Sequence, residues 1–147
     1  IIDKSHSGYR LEWQAESMPA IEIGNYIALL TDAAHNHWAI GEVMWLHQRD
    51  NKNIETGVSI ISHNPIPVAV DVPLKACLHV NFLPALLLPP SKSKKLPSRL
   101  LVGTHGFEKG DQVKINQGEE EITIKLDRII KKFNHYNLFE CGFFKTP

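Results

Sequence analysis

The sequence predicts a mostly-β protein, an antiparallel β-barrel followed by a second β-rich half, and three observations carry that expectation. Apolar and polar residues alternate along most of the 147 residues, while the i, i+3, i+4 spacing of an amphipathic helix is nearly absent. Turns containing Gly, Pro and Asn interrupt the alternation at short intervals. About eight to ten short strands result, a set that fits a barrel or a sandwich, and such meanders close on themselves to remove exposed strand edges.

The elements follow in order. From Ser7 to Trp13, Tyr9, Leu11 and Trp13 share one face and Arg10 and Glu12 the other, as in a half-buried strand. A second apolar run extends from Gly24 to Thr31. A third extends from Trp38 to His47, with Gly41 as a bulge or point of close approach. The polar turn Arg49-Asp50-Asn51-Lys52-Asn53 joins it to Ile54–Ile61 as an antiparallel hairpin. Pro65 and Pro67 lack a backbone N–H and place the next segment at a sheet edge or in an extended connection. Cys77–Phe82 alternates as a strand. Pro84 is expected to end or bend it, with a short helical turn at Ala85–Leu88.

The run Pro89-Pro90-Ser91-Lys92-Ser93-Lys94-Lys95 is the sharpest shift in composition and reads as a solvated loop or linker. Strand patterns return at Leu100–Gly103, Gln112–Ile115 and Leu138–Phe144. Between the last two, Ile122, Ile124, Leu126 and Arg128 are expected on one face of a long strand. Glu119, Glu120 and Glu121 form a solvated tip. The division expected is 1–72, a connecting segment 73–98, and 99–147, or one continuous unit.

Composition narrows the function. Lys+Arg and Asp+Glu are 16 each, so the formal net charge is zero. A neutral chain exerts no long-range pull on nucleic acid or an acidic membrane, and an anionic ligand needs a local cluster of donors. The apolar stretch Phe82–Pro90 is too short to span a bilayer. No basic region followed by an apolar run opens the chain, so no secretory signal is expected, and the localisation expected is cytoplasmic. Cys77 and Cys141 are expected as reduced core residues, with a disulfide between them as the alternative. The chain starts at Ile1 and enters a strand pattern at once, which suggests a fragment or processed product of a longer protein.

Catalytic and metal constellations are weak. No Gly-x-Ser-x-Gly elbow, P-loop or Gly-x-Gly-x-x-Gly is present. His35 and His37 would point the same way on a strand, but no third ligand has a sensible spacing. No metal site and no enzyme activity are expected. Trp13, Trp38 and Trp45 fall in strands and are expected in the core; an aromatic platform for a stacked base is the alternative.

One motif carries more. Asp3-Lys4-Ser5-His6-Ser7-Gly8 spells Asp-x-Ser-x-x-Gly ahead of a strand. Asp3 can accept from a guanine edge, Ser5 can donate from a short hydroxyl, and Gly8 has no Cβ to keep a flat ring away. It is also a good turn in its own right. Later come Gly41-Glu42-Val43-Met44-Trp45 and Gly57-Val58-Ser59-Ile60. Over about the first 62 residues this series resembles the PilZ domain, the family of cyclic-di-GMP receptors. The resemblance implies a PilZ-like barrel with Asp3, Ser5, Ser7, Gly8 and Arg10 as ligand-binding residues. Arg10 has a second reading, a cross-strand pair with an acid. Family members also use an Arg-x-x-x-Arg stretch before the turn, and here no two of Arg10, Arg49, Arg99 and Arg128 lie four apart. The function implied is a receptor or adaptor that passes cyclic-di-GMP to a protein partner, with no other cofactor. The alternative is a degenerate PilZ-like interaction module that does not bind the nucleotide.

Overall fold

The computed structural model describes residues 8–14, 16, 20–50, 52–71, 82–92, 95–103 and 106–143, and the backbone alone of 3–4. The described residues are strands and turns without a helix, so the mostly-β expectation holds. None of them forms a helix long and apolar enough to cross a membrane. The chain divides into two compact units, Ile1–Asn64 and Pro65–Pro147.

The first unit is a five-stranded antiparallel sheet. Its strands are β1 (Asp3–Lys4), β2 (Gly8–Gln14), β3 (Tyr26–Asp32), β4 (His37–Gln48) and β5 (Asn53–Ser62), in the spatial order β1-β2-β5-β4-β3. Alternation explains the core: Tyr9, Leu11, Leu29, Ala39, Val58 and Ile60 turn to one face, with Trp13 and Ile27 packed at its margin. The hairpin read between Arg49 and Asn53 is present. Asp50 Oδ1 accepts from the Lys52 amide at 2.7 Å and the Asn53 amide at 2.8 Å. Those two backbone donors, Lys52 first, hold the Asp50 carboxyl below its ordinary value.

One bulge in this unit agrees with the sequence reading and another corrects it. Gly41 does sit at a register shift, and a Cβ there would lie 2.3 Å from Val58 Cγ1. The second shift falls between Val43 and Trp45 and was not foreseen. Val43 is opposite Val58 and fully buried, but Met44 is left over and Trp45 comes opposite Gly57. One extra residue reverses the face of everything after it. Trp45 therefore leaves the core side and is 41% exposed. Trp38 is exposed as well, and its indole N–H donates to Asn36 Oδ1 at 3.1 Å. Of the three tryptophans expected inside, only Trp13 packs against the core. His35 and His37 do not share a strand face either. His35 lies in the turn, where its Nδ1 is 2.7 Å from Asp32 Oδ2.

The second unit is a closed six-stranded barrel. Its strands are β6 (Ile66–Asp71), β7 (Phe82–Leu88), β8 (Arg99–Gly103), β9 (Gln112–Gln117), β10 (Glu120–Lys132) and β11 (Tyr136–Phe143), closing in the order β10-β11-β8-β7-β6-β9. Its interior is filled by Val70, Leu100, Ile115, Ile124, Leu126 and Phe139, each essentially inaccessible, and their neighbours. Residues 82–88, read as part of a connecting segment, form a barrel strand, and the run Pro89–Lys95 lies between β7 and β8 of this same barrel.

Three local expectations change here. The segment after Pro65 is a barrel strand and neither an edge nor a connection. Pro67 is tolerated because the β9 ladder begins only at Ala69. Pro84 does not end β7, and Ala85–Leu88 is extended, not helical. The β8 ladder begins at Leu86, so Pro84 meets only Ala69 of β6. A bulge at Asp127 turns Arg128 away from the face of Ile124 and Leu126 to pair with Glu140. Cys141 is a buried free thiol, pushed up to about 12, first by burial and then by Asp127 and Glu140. Cys77 and its expected strand fall largely outside the described residues.

Candidate functional site

The outward face of the five-stranded sheet holds the unusual chemistry. The ladders align four residues in one row across four strands. Asp3 of β1 partners Arg10 of β2, Arg10 partners Gly57 of β5, and Gly57 partners Trp45 of β4. The Asp-x-Ser-x-x-Gly motif is thus the connection between β1 and β2, with its first and last residues in neighbouring strands.

Arg10 is half-buried between Tyr9 and Leu11, which turn the other way into the core. Its Nε is buried and lacks a hydrogen-bond partner. A buried donor without a partner is costly, so such a group is a place where a ligand's acceptor would fit. Asp3 is its ladder partner, as a cross-strand acid would be.

Gly8 has a structural role that the motif did not announce. Its φ is not in the positive range. A Cβ at this position would lie 2.6 Å from the Val58 carbonyl oxygen, so glycine lets β2 approach β5. Ser5 and Ser7 lie outside the described residues.

Gly57 is the floor of the row. A Cβ there would lie 2.0 Å from Trp45 Nε1, 2.2 Å from Cε2 and 2.7 Å from Cδ1. The pyrrole ring of Trp45 occupies the space that any other side chain at 57 would need. The sequence reading quoted both in the motif series but named neither as a ligand-binding residue, and gave Trp45 an aromatic platform only as its alternative role. A lone glycine inside a strand, between Thr56 and Val58, was the available signal for a close approach.

The adjoining row is charged. Glu55 is the ladder partner of both Glu12 and His47, and it is only 5% exposed. Two carboxylates directly opposite one another repel. Arg49 relieves this, its Nε lying 3.1 Å from Glu55 Oε1, close enough for an ion pair but out of line for a hydrogen bond. Because Arg49 is more than half exposed, that pair is worth little by itself. Among the described residues no group of three His, Cys, Asp or Glu is placed to hold a metal ion.

The comparisons with known proteins divide the chain much as the fold does. Residues 1–67 match the family model described as the middle PilZ domain of the cyclic-di-GMP receptor FimW. Residues 74–142 match the model of the FimW C-terminal beta-barrel domain. A curated relative, the cyclic-di-GMP receptor FimW of Pseudomonas aeruginosa, is 27% identical over 140 residues, which is 95% of this chain and 23% of that protein. The chain thus spans less than a quarter of that relative's length. No solved structure matches it.

Proposed function

We propose, on the premise that this chain belongs to the PilZ family through residues 1–67, that its five-stranded unit binds cyclic-di-GMP and passes its occupancy to a protein partner. The binding residues are Asp3, Ser5, Ser7, Gly8 and Arg10. The observation that carries this reading is the pairing of Asp3 with Arg10 across the strands that the motif connects. It brings an acid and a guanidinium to adjacent ladder positions on a chain without net charge.

A cyclic guanine dinucleotide needs that combination. Its guanine presents O6 and N7 as acceptors, which an arginine fork matches. The N1–H and exocyclic amine are donors, which a carboxylate matches. Its phosphates accept from guanidinium or short hydroxyl groups, as Ser5 and Ser7 supply. Recognition of a ligand is what these groups offer, through hydrogen bonds and charge. The likeness to a protein named as a cyclic-di-GMP receptor supports the same ligand.

Calorimetry with cyclic-di-GMP on the protein with its natural termini tests the reading. Asp3→Ala and Ser5→Ala should each weaken binding, and saturating ligand should raise the melting temperature. A ligand at a hundred times its Kd stabilises the folded state by about 2.7 kcal/mol. Unchanged affinity in both variants, or no thermal shift at high micromolar ligand, would favour the interaction module that does not bind the nucleotide.

A further inference from the structure

We propose that the tip of the β10–β11 hairpin is a docking surface for a bilayer rich in anionic phospholipid. The proposal concerns the barrel by itself and is independent of the nucleotide site. It starts from the distribution of charge along one strand. β10 opens in the run Glu119-Glu120-Glu121 and closes in Arg128-Ile129-Ile130-Lys131-Lys132. From Arg128 to Tyr136 the chain carries the cations Arg128, Lys131 and Lys132 and no carboxylate; the last acid before them is Asp127. At about 3.3 Å per residue, Glu121 and Lys132 stand on the order of 30 Å apart, several times the screening length of about 8 Å in physiological salt. Zero net charge therefore does not cancel the two ends. The basic end meets a nearby anionic surface as a cation cluster, and the acidic end turns away from it.

The ladders make the basic end stand out. β9 pairs with β10 only as far as Lys125. The loop before β9 adds backbone bonds at Leu126, whose carbonyl accepts from the Gly110 amide at 2.6 Å and whose amide donates to the Asp111 carbonyl at 2.9 Å. Beyond Leu126, among the described residues, β10 is paired with β11 alone, as far as Lys132 opposite Asn137. A bulge leaves Ile130 without a ladder partner, and this isoleucine is 39% exposed among the cations. At the tip the Phe133 amide donates to the Tyr136 carbonyl at 2.9 Å. The rings of Phe133 and Tyr136 pack with centroids 4.3 Å apart, and Lys131 Nζ stands 5.0 Å from the centre of the Phe133 ring. Arg128 is held by Glu140, while Lys132 is exposed. Cations around a partly exposed aliphatic and aromatic cluster match a membrane interface. Lysines reach lipid phosphates along their apolar stems, and isoleucine and aromatic side chains suit the boundary between headgroups and acyl chains. Nucleic acid is matched less well, because the Phe133 ring already packs on Tyr136 and Lys131, where a base would need an open ring face.

Co-sedimentation of the nucleotide-free protein, with its natural termini, on vesicles tests this. Vesicles of equal parts phosphatidylglycerol and phosphatidylcholine should retain it, and vesicles of phosphatidylcholine alone should not. Each cation near such a surface is worth roughly fivefold, so Lys131→Gln combined with Lys132→Gln should lower the partition coefficient by more than about tenfold. Ile130→Ser should lower it severalfold without changing its salt dependence. Glu120→Gln combined with Glu121→Gln, at the far end of the strand, should not lower it. Because Lys131 also sits over Phe133, Lys132→Glu at an exposed position repeats the charge test without touching that contact, at an unchanged melting temperature. Equal retention on both kinds of vesicle, no retention at low salt, or full retention of the lysine variants would overturn the docking surface. Binding of a polyuridylate strand but not of vesicles would assign the basic end to nucleic acid and overturn it as well.

Discussion

The two units use the same building material to different ends. In the barrel, closure leaves no strand edge, and thirteen of the described residues form a continuous core. In the five-stranded sheet the corresponding core has six, and the face away from it carries a buried carboxylate, an unpartnered arginine nitrogen and an exposed indole. Apolar burial is the main stabilising term in both. The sheet leaves part of that term unused and keeps polar groups that would be better paired. Such departures are expected where a surface is shaped for a ligand rather than for stability.

Substitutions can break or sharpen this contrast. The largest effect belongs to the barrel: Phe139→Ala, at a fully inaccessible position, should lower stability by about 3–5 kcal/mol in denaturant unfolding. A loss under 1 kcal/mol would mean that the barrel interior is not packed as described. Gly8→Ala comes next. Its Cβ would strike the Val58 carbonyl, which is backbone and cannot swing aside, so about 1–3 kcal/mol should be lost.

Gly57→Ala should cost less, about 1 kcal/mol, because the atoms it strikes belong to a surface side chain that can rotate away. Its signature is a red shift of tryptophan emission as the indole moves into water. Equal losses for the two alanines would argue that Trp45 is locked. The smallest effect has the opposite sign. Thr56 is fully buried on the core side of the sheet, and its hydroxyl has no hydrogen-bond partner. Thr56→Val replaces it with a methyl and should raise the melting temperature slightly, by a gain under about 1 kcal/mol.

Much of the strand order was legible because period two is written directly in the residues. Tyr9-x-Leu11-x-Trp13 and the hairpin across Asp50 fold as read. Proline positions misled at Pro67 and Pro84, since each sits beside a neighbouring ladder that has not yet begun. That is a property of the pairing, invisible in one segment alone. The short leucine-rich run Ala85–Leu88 suits either a helix or a strand, and barrel closure decided for the strand.

Bulges were the deeper difficulty. Nothing in Val43-Met44-Trp45 or Leu126-Asp127-Arg128 marks the extra residue, yet each one exchanges the inward and outward faces downstream. For the candidate site this divided the outcome. Asp3, Gly8 and Arg10 were reached through a local motif, and the ladder places Asp3 beside Arg10. The contact between Trp45 and Gly57 was not read, because it depends on a register shift between two strands.

The most direct measurement is a nitrogen–proton NMR titration with cyclic-di-GMP on the intact protein. The largest shifts should fall on the amides of Gly8, Arg10 and Gly57 and on the indole N–H of Trp45, with the amides of Lys114, Ile115 and Phe139 in the barrel unmoved. Shifts confined to residues 65–147, or none at saturating nucleotide, would contradict the assignment of the sheet face as the ligand-binding surface.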